Sequence, residues 1–488
     1  MKKSFILTLL FSAIFSLSFS QQNDVYTLQE VDSAAMIPSG KPYFDLFIKK
    51  NIKIPFQAQL AGVKGKVYLS AIVETNGTVS NIEIIKGLRP DCDKEVIRLF
   101  SLFKAWKPAQ KDGKSVRSRV SYPVSVSSEE IQNYEKGYIT SFFNAQGNSI
   151  ASADSAAYLQ KAAVDTLTGD IIADIIFYKI NGTKLKPYFT LKEKKEYSYY
   201  FPGVTKDSIR LLTISHINNY GIAVGEQKKY YPNGNLFSIV QLEEGKNTEN
   251  FSLFYPNGVL KESSESANIP DKKVFTSIKW LPSGQIHSII EKDVTITNNP
   301  VISVISMWDS TGNQIVKNGN GNVKILSAYE DTFFYEKGVY LNGQKQGLWE
   351  GEFKDGQKVY SENYDNGKFL DGVSFHEGKR ISYTNPEIKS EYADGGLKGW
   401  GSFLNANLSY PQDAREKNIE GKVYINFVVC TDGSLCNFEV IKSSGNSSLD
   451  EEALRVVKLS NGKWKPGLQR GKLVKTKYVL PLNFILGK

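Results

Sequence analysis

Gly65-Lys66-Val67-Tyr68-Leu69-Ser70-Ala71-Ile72-Val73-Glu74-Thr75-Asn76-Gly77 decides how this chain is read, because Gly421-Lys422-Val423-Tyr424 opens the same pattern 356 residues later and Asp432-Gly433 closes it. Each stretch is a β-branched, alternating run that ends in a dipeptide able to take the positive φ of a hairpin turn. Working outward, Asn51-Ile52-Lys53-Ile54-Pro55 reappears as Asn407-Leu408-Ser409-Tyr410-Pro411, and Ile85-Lys86 as Ile441-Lys442. The offset then grows to 358: Trp106-Lys107-Pro108 matches Trp464-Lys465-Pro466, Gly113-Lys114 matches Gly471-Lys472, and Pro123 matches Pro481. One module occurs twice, and that internal repeat fixes the architecture.

Local signals order the elements alike in both copies. A short helix follows the proline (residues 56–61 and 412–417), and two strands flank the turn (residues 66–75 and 78–86 in the first copy). A helix over residues 92–104 and 448–459 starts with Asp93 and Asp450, where the helix dipole favours an anion. A last strand runs over residues 116–126 and 474–484. The module reads αββαβ, a three-stranded antiparallel sheet with two helices. Between the copies, Tyr230-Tyr231-Pro232-Asn233-Gly234 returns as Phe254-Tyr255-Pro256-Asn257-Gly258, then as Trp280-Leu281-Pro282-Ser283-Gly284 and Trp308-Asp309-Ser310-Thr311-Gly312. Turn glycines at this density describe stacked β-hairpins that bury their aromatics in the next unit. The fold class is therefore α+β for the modules and β between them. The predicted organisation is a signal peptide over 1–20, a module over 38–126, a poorly defined, β-rich stretch over 127–210, hairpin repeats over 211–390 and a second module over 393–488.

The 488 residues are 41% hydrophobic and 23% charged, as expected of folded domains, and carry a formal charge of +9. Three His and three Cys are too sparse for a zinc framework or a disulfide scaffold. Lys2-Lys3, an apolar run over 5–19 and Ser18-Phe19-Ser20 ahead of Gln21 have the layout of a secretory signal, so cleavage after Ser20 and a periplasmic or cell-envelope location are expected. The alternative is an uncleaved inner-membrane anchor that leaves the chain facing the periplasm. Export removes nucleic acid as a partner of the basic chain. No coherent catalytic motif occurs: there is no His-Glu-x-x-His, Gly-x-Ser-x-Gly or phosphate loop, so a non-enzyme without cofactor or metal is expected. Cys430 and Cys436 flank the Asp432-Gly433 turn on opposite arms, a parity that allows a diagonal disulfide or two packed thiols. Trp106 and Trp464 read as core anchors.

Taken together, the Asn-hydrophobic-x-x-Pro entry, the Gly-Lys-Val strand start, the Asn/Asp-Gly hairpin, the Trp-Lys-Pro and the late Gly-Lys make each module resemble the C-terminal domain of TonB. That periplasmic protein couples inner-membrane energy to outer-membrane transporters. The middle resembles MORN-type or antitoxin-like aromatic-glycine repeats. The TonB resemblance implies that a transporter peptide adds as a strand beside the module's last strand, pairing with its exposed backbone. The implied partner-binding residues are Val116, Arg117, Ser118, Arg119, Val120 and Tyr122 in the first copy and Val474, Lys475, Thr476, Lys477 and Tyr478 in the second. A helix glutamine of the family that touches the peptide corresponds to Gln59; the second copy has Arg415 there.

This chain departs from an energy transducer of that family in having no His before His216 and no Pro-rich spacer. The leading expectation is an exported TonB-family protein that binds transporter or envelope partners by strand addition in transmembrane transport. An anchored transducer and a peptidoglycan- or glycan-binding envelope protein are the alternatives, and edge strands also permit a homodimer. Residues 41–126 hold 16 Lys+Arg against 7 Asp+Glu, so a basic edge facing an acidic partner is expected, with solvated lysines guarding the edge as the simpler reading.

Overall fold

The computed structural model describes residues 24–128, 131, 133–200, 208–295, 300–329, 332–376 and 378–486. The expected signal segment lies outside them. In the first module, α1 (Lys41–Asn51) and α2 (Phe56–Leu60) precede β1 (Lys64–Val73) and β2 (Val79–Lys86), followed by α3 (Pro90–Leu102) and β3 (Ser118–Ser127). The sheet is antiparallel with order β2-β1-β3. Helix α1 is an element the sequence reading did not place. Its Phe44, Phe47, Ile48 and Asn51 are buried at three- and four-residue spacing, the stripe that drives a helix onto a core. Cys92, Val96, Leu99 and Phe100 form the matching stripe of α3, and Val67, Leu69, Ala71 and Val73 are the core face of β1.

The turn at Asn76-Gly77 is tighter in its demands than a two-residue hairpin. Only Gly77 takes a positive φ (81°), while the Asn76 carboxamide oxygen accepts from Thr78 N–H. A Cβ at Gly77 would meet the Trp106 carbonyl oxygen at 2.4 Å, and Trp106 N–H donates to the Gly77 carbonyl at 3.1 Å. The hairpin tip and the Trp-Lys-Pro segment are thus one contact. Gly433 and Trp464 repeat it in the second module, with φ 81° and 2.6 Å.

That second module has α4 (Gly396–Asn407), α5 (Gln412–Glu416), β4 (Gly421–Val429), β5 (Leu435–Lys442), α6 (Ser447–Leu459) and β6 (Thr476–Phe484), with sheet order β5-β4-β6. Cys430 and Cys436 are joined as a disulfide across the turn, their Cα atoms 6.8 Å apart. Trp106 and Trp464 are both 6% exposed and sit in their modules' cores.

The region between is two sheets. A 15-stranded antiparallel sheet runs from Tyr134–Glu135 to Gln314–Val316, so the stretch after the first module joins the same sheet as the first repeats. A separate six-stranded sheet begins at Gly321–Tyr329 and ends at Lys379–Tyr383. In the first sheet the recurring turns brace one another. Tyr231 Oη donates to the Phe254 carbonyl and Tyr255 Oη to the Trp280 carbonyl, both at 2.9 Å. Asn233 Nδ2 reaches the Pro256 carbonyl and Asn257 Nδ2 the Pro282 carbonyl. In the second sheet, rings lie over glycines of the neighbouring strand, Tyr360 opposite Gly351 and Tyr383 opposite Gly372. A Cβ at either glycine would sit within 2.5 Å of the facing ring, so aromatic and glycine are needed as a pair.

The first module docks where the brace runs out. Leu281 and Asp309 replace the tyrosine, and there Lys104 N–H donates to the Ser283 carbonyl at 2.8 Å while Phe47 and Phe103 pack on Gly284. Asn51, 5% exposed, accepts from Leu260 N–H, and Tyr43 meets Trp308 edge-on at 4.5 Å. Module and repeats share one core containing Phe44, Phe103, Trp106, Val259, Trp280 and Trp308. The second module keeps its own.

Candidate edge-strand binding sites

Strands β3 and β6 are each the terminal strand of their sheet. Side-chain burial alternates along β3, with odd-numbered residues exposed and even-numbered ones buried except for half-buried Val120. Backbone direction alternates with the same period. The outward set is identified by the hydrogen bonds of a neighbouring segment: Arg119 N–H donates to the Tyr26 carbonyl and Tyr26 N–H to the Arg117 carbonyl, both at 2.9 Å. Odd-numbered residues therefore present N–H and C=O to the edge. Pro123 belongs to this set, where its missing N–H breaks no internal ladder bond. The offset of 358 carries the same parity to Lys475, Lys477, Val479 and Pro481 on β6, whose register against β4 matches that of β3 against β1.

This parity sorts the expected site residues by backbone direction. Val116 and Val474 lie outside the last strands, in the small hairpin strands Lys114–Val116 and Lys472–Val474, because strand pairing is interrupted at Arg117 and Lys475. Ser118, Val120, Tyr122, Thr476 and Tyr478 point their backbone groups inward to the ladder, so they offer nothing along the edge. Tyr122 is 8% exposed; burial first, and then its 2.6 Å hydrogen bond to Asp45, push its phenol well above the ordinary range. Tyr478 Oη donates to the Ser390 carbonyl. Arg119 and Lys477 have the outward orientation, and Ser121 and Val479, which lie within the expected edges 116–122 and 474–479, share it. The parity of Pro123 and Pro481 is the sequence signal that singles them out within those edges.

The first edge is bridged at one point by the chain's own preceding segment. Tyr26 forms a parallel bridge with Ser118, Lys111 covers its ring at 4.2 Å, and the following chain bridges Ser33 to Gln110 and Met36 to Lys107. Arg117 holds Glu74 at 2.8 Å, and that hydrogen bond keeps the Glu74 carboxyl below the usual range. In the second module the lead-in runs beside Gly467–Gln469, with Ile388 opposite Leu468, and Tyr392 then pairs with Trp464. Among the described residues no strand follows β6 in its sheet.

The helix position is not equivalent between copies. Gln59 is half-buried, with Nε2 donating to the Ile54 carbonyl at 2.7 Å. It lines a cleft of about 1,020 Å³ between the first module and the repeats, together with Lys53, Phe56, Asp170, Lys228 and Tyr230. Burial lowers the Lys53 pKa there, while Lys228 is held by Asp170 at 2.5 Å. Arg415 is exposed, its guanidinium 5.9 Å from the Tyr410 ring. Among the described residues no cluster of His, Cys, Asp and Glu could hold a metal ion, and no helix is long and apolar enough to cross a membrane.

Comparison with known proteins matches the family described as "Gram-negative bacterial TonB protein C-terminal" to residues 50–125 and again to residues 406–486. No curated protein matches. Two solution NMR structures of the Helicobacter pylori TonB C-terminal domain are similar: one at 24% identity, covering 20% of this chain and 90% of that one with a TM-score of 0.17, the other at 23%, 18%, 90% and 0.15. By sequence, residues 50–125 and 406–486 are two domains of the TonB C-terminal family on one chain.

Proposed function

We propose that this is a cell-envelope protein of TonB-dependent transport whose second module takes up an extended peptide of an outer-membrane transporter as an added strand on β6. TonB C-terminal domains act as interaction modules for such transporters. The observation that carries the reading here is the terminal position of β6, with Val479 facing outward ahead of Pro481. Strand addition takes its affinity from backbone pairing and its selectivity from alternate side chains. On β3 the bridge to Tyr26 uses Arg117 and Arg119, and Pro123 lacks a donor, so Ser121 is the one outward donor left between them. The first module then serves chiefly to seat the assembly, and catalysis has no part in the mechanism.

Photo-crosslinking from a benzophenone amino acid at Val479 in living cells tests this. Crosslinks to an outer-membrane transporter are expected. Crosslinks confined to a second copy of the chain, or none, would contradict it.

A further inference from the structure

The hairpin tip of the second module ends in Gln469-Arg470-Gly471-Lys472 and plugs into the face of the six-stranded sheet. Arg470 and Gly471 have φ of 49° and 77°. Asn, Asp and Gly enter that left-handed region several-fold more readily than other residues. The first module obeys the preference, with Asp112 and Gly113 at 52° and 73°. Arginine at 470 is thus an unfavourable choice for the turn, and its side chain shows what it is kept for.

The Arg470 guanidinium lies 3.6 Å from the centre of the Tyr360 ring. Its Nε donates to Glu362 at 2.9 Å and Nη2 approaches Glu336 at 3.5 Å. Glu362, 1% exposed, also accepts from Tyr364 Oη at 3.0 Å and Tyr383 Oη at 2.9 Å. Glu336 accepts from Ser327 Oγ at 2.8 Å and from Tyr360 Oη. The backbone is gripped too: Ser374 Oγ donates to the Arg470 carbonyl at 2.6 Å, and Arg470 N–H donates to the Pro386 carbonyl at 2.7 Å. Lys345, over Trp349 at 4.1 Å, is the other cation nearby, and burial lowers its pKa.

An aromatic face, a planar fork of donors and two oriented carboxylates are the elements of guanidinium recognition, which an ammonium point charge does not satisfy. We infer that Glu336, Tyr360 and Glu362 form a guanidinium-binding site, filled in cis by Arg470, that locks the second module in one orientation on the repeat sheet. Among the described residues the second module's core contains no residue of the repeats, so this ionic contact takes the place that a shared hydrophobic core holds for the first module. The inference does not depend on strand capture.

The test uses the full chain carrying R470N, which supplies a turn-preferred residue and removes the guanidinium. Amide exchange in residues 384–392 and 467–474 is expected to speed up by about tenfold or more while protection in β4 and α6 is retained. Millimolar guanidinium, far below denaturing concentration, is expected to restore protection, and the same concentration of ammonium is not. R470K is expected to behave like R470N. Unchanged exchange in R470N, or equal rescue by both ions, would overturn the site. A native dimer that R470N dissolves would overturn its occupancy in cis.

Discussion

Gly77 and Gly433 show how far a single residue reaches in this fold. Each combines a positive φ with a carbonyl, from Trp106 or Trp464, where a Cβ would stand. Replacing either by alanine is expected to cost about 1–3 kcal/mol through backbone strain and the forced retreat of the tryptophan segment. Calorimetry can separate the two. Gly433→Ala should lower only a transition belonging to the second module, whose core is its own, whereas Gly77→Ala should lower the transition of the first module and repeats together. Coincident shifts in both variants would mean that the cores are coupled. The turn glycines and the buried tryptophans were legible in the sequence because their constraints are local and repeated. Arg470 was not, since a turn-tip arginine looks solvated until the Glu336–Glu362 pair is brought to it by residues more than a hundred positions earlier.

At the level of elements, the hairpin, the long helix and the last strand of each module follow from periodicity and turn chemistry. Two features escaped. Helix α1 carries a sound apolar stripe, but half of its buried face meets the repeats rather than its own sheet, so nothing nearby in sequence announces its partner. The break in strand pairing at Arg117 and Lys475 interrupts what reads as one continuous run, and it leaves Val116 and Val474 off the last strands. Within the repeats, the tyrosine brace predicts a graded effect. Tyr255→Phe removes the hydroxyl that satisfies the Trp280 carbonyl and is expected to cost about 1 kcal/mol. Its mark should be faster amide exchange confined to the turns around residues 255–258 and 281–285; protection unchanged there would show that the hydroxyl braces nothing.

For the molecule as a whole, the two like modules are placed by unlike physics. One merges its core with the repeats, and the other hangs on an arginine and short strand pairs. A sequence repeat reveals that two modules exist but not how they dock, because docking depends on surfaces that differ between copies: Asn51 and Phe103 in one, Arg470 in the other. The same asymmetry extends to the edges, with Tyr26 laid against β3 and no strand beyond β6 among the described residues. The repeats hold one module through a shared core and the other through a hairpin tip.

The most direct measurement compares capture of outer-membrane transporters by the full chain carrying Val479→Pro or Ser121→Pro, each of which removes one outward N–H and leaves the internal ladder intact. The account predicts that Val479→Pro abolishes capture while Ser121→Pro leaves it near the native level, both proteins melting within a few degrees of the native chain. Capture that survives Val479→Pro, or is lost with Ser121→Pro instead, would contradict it.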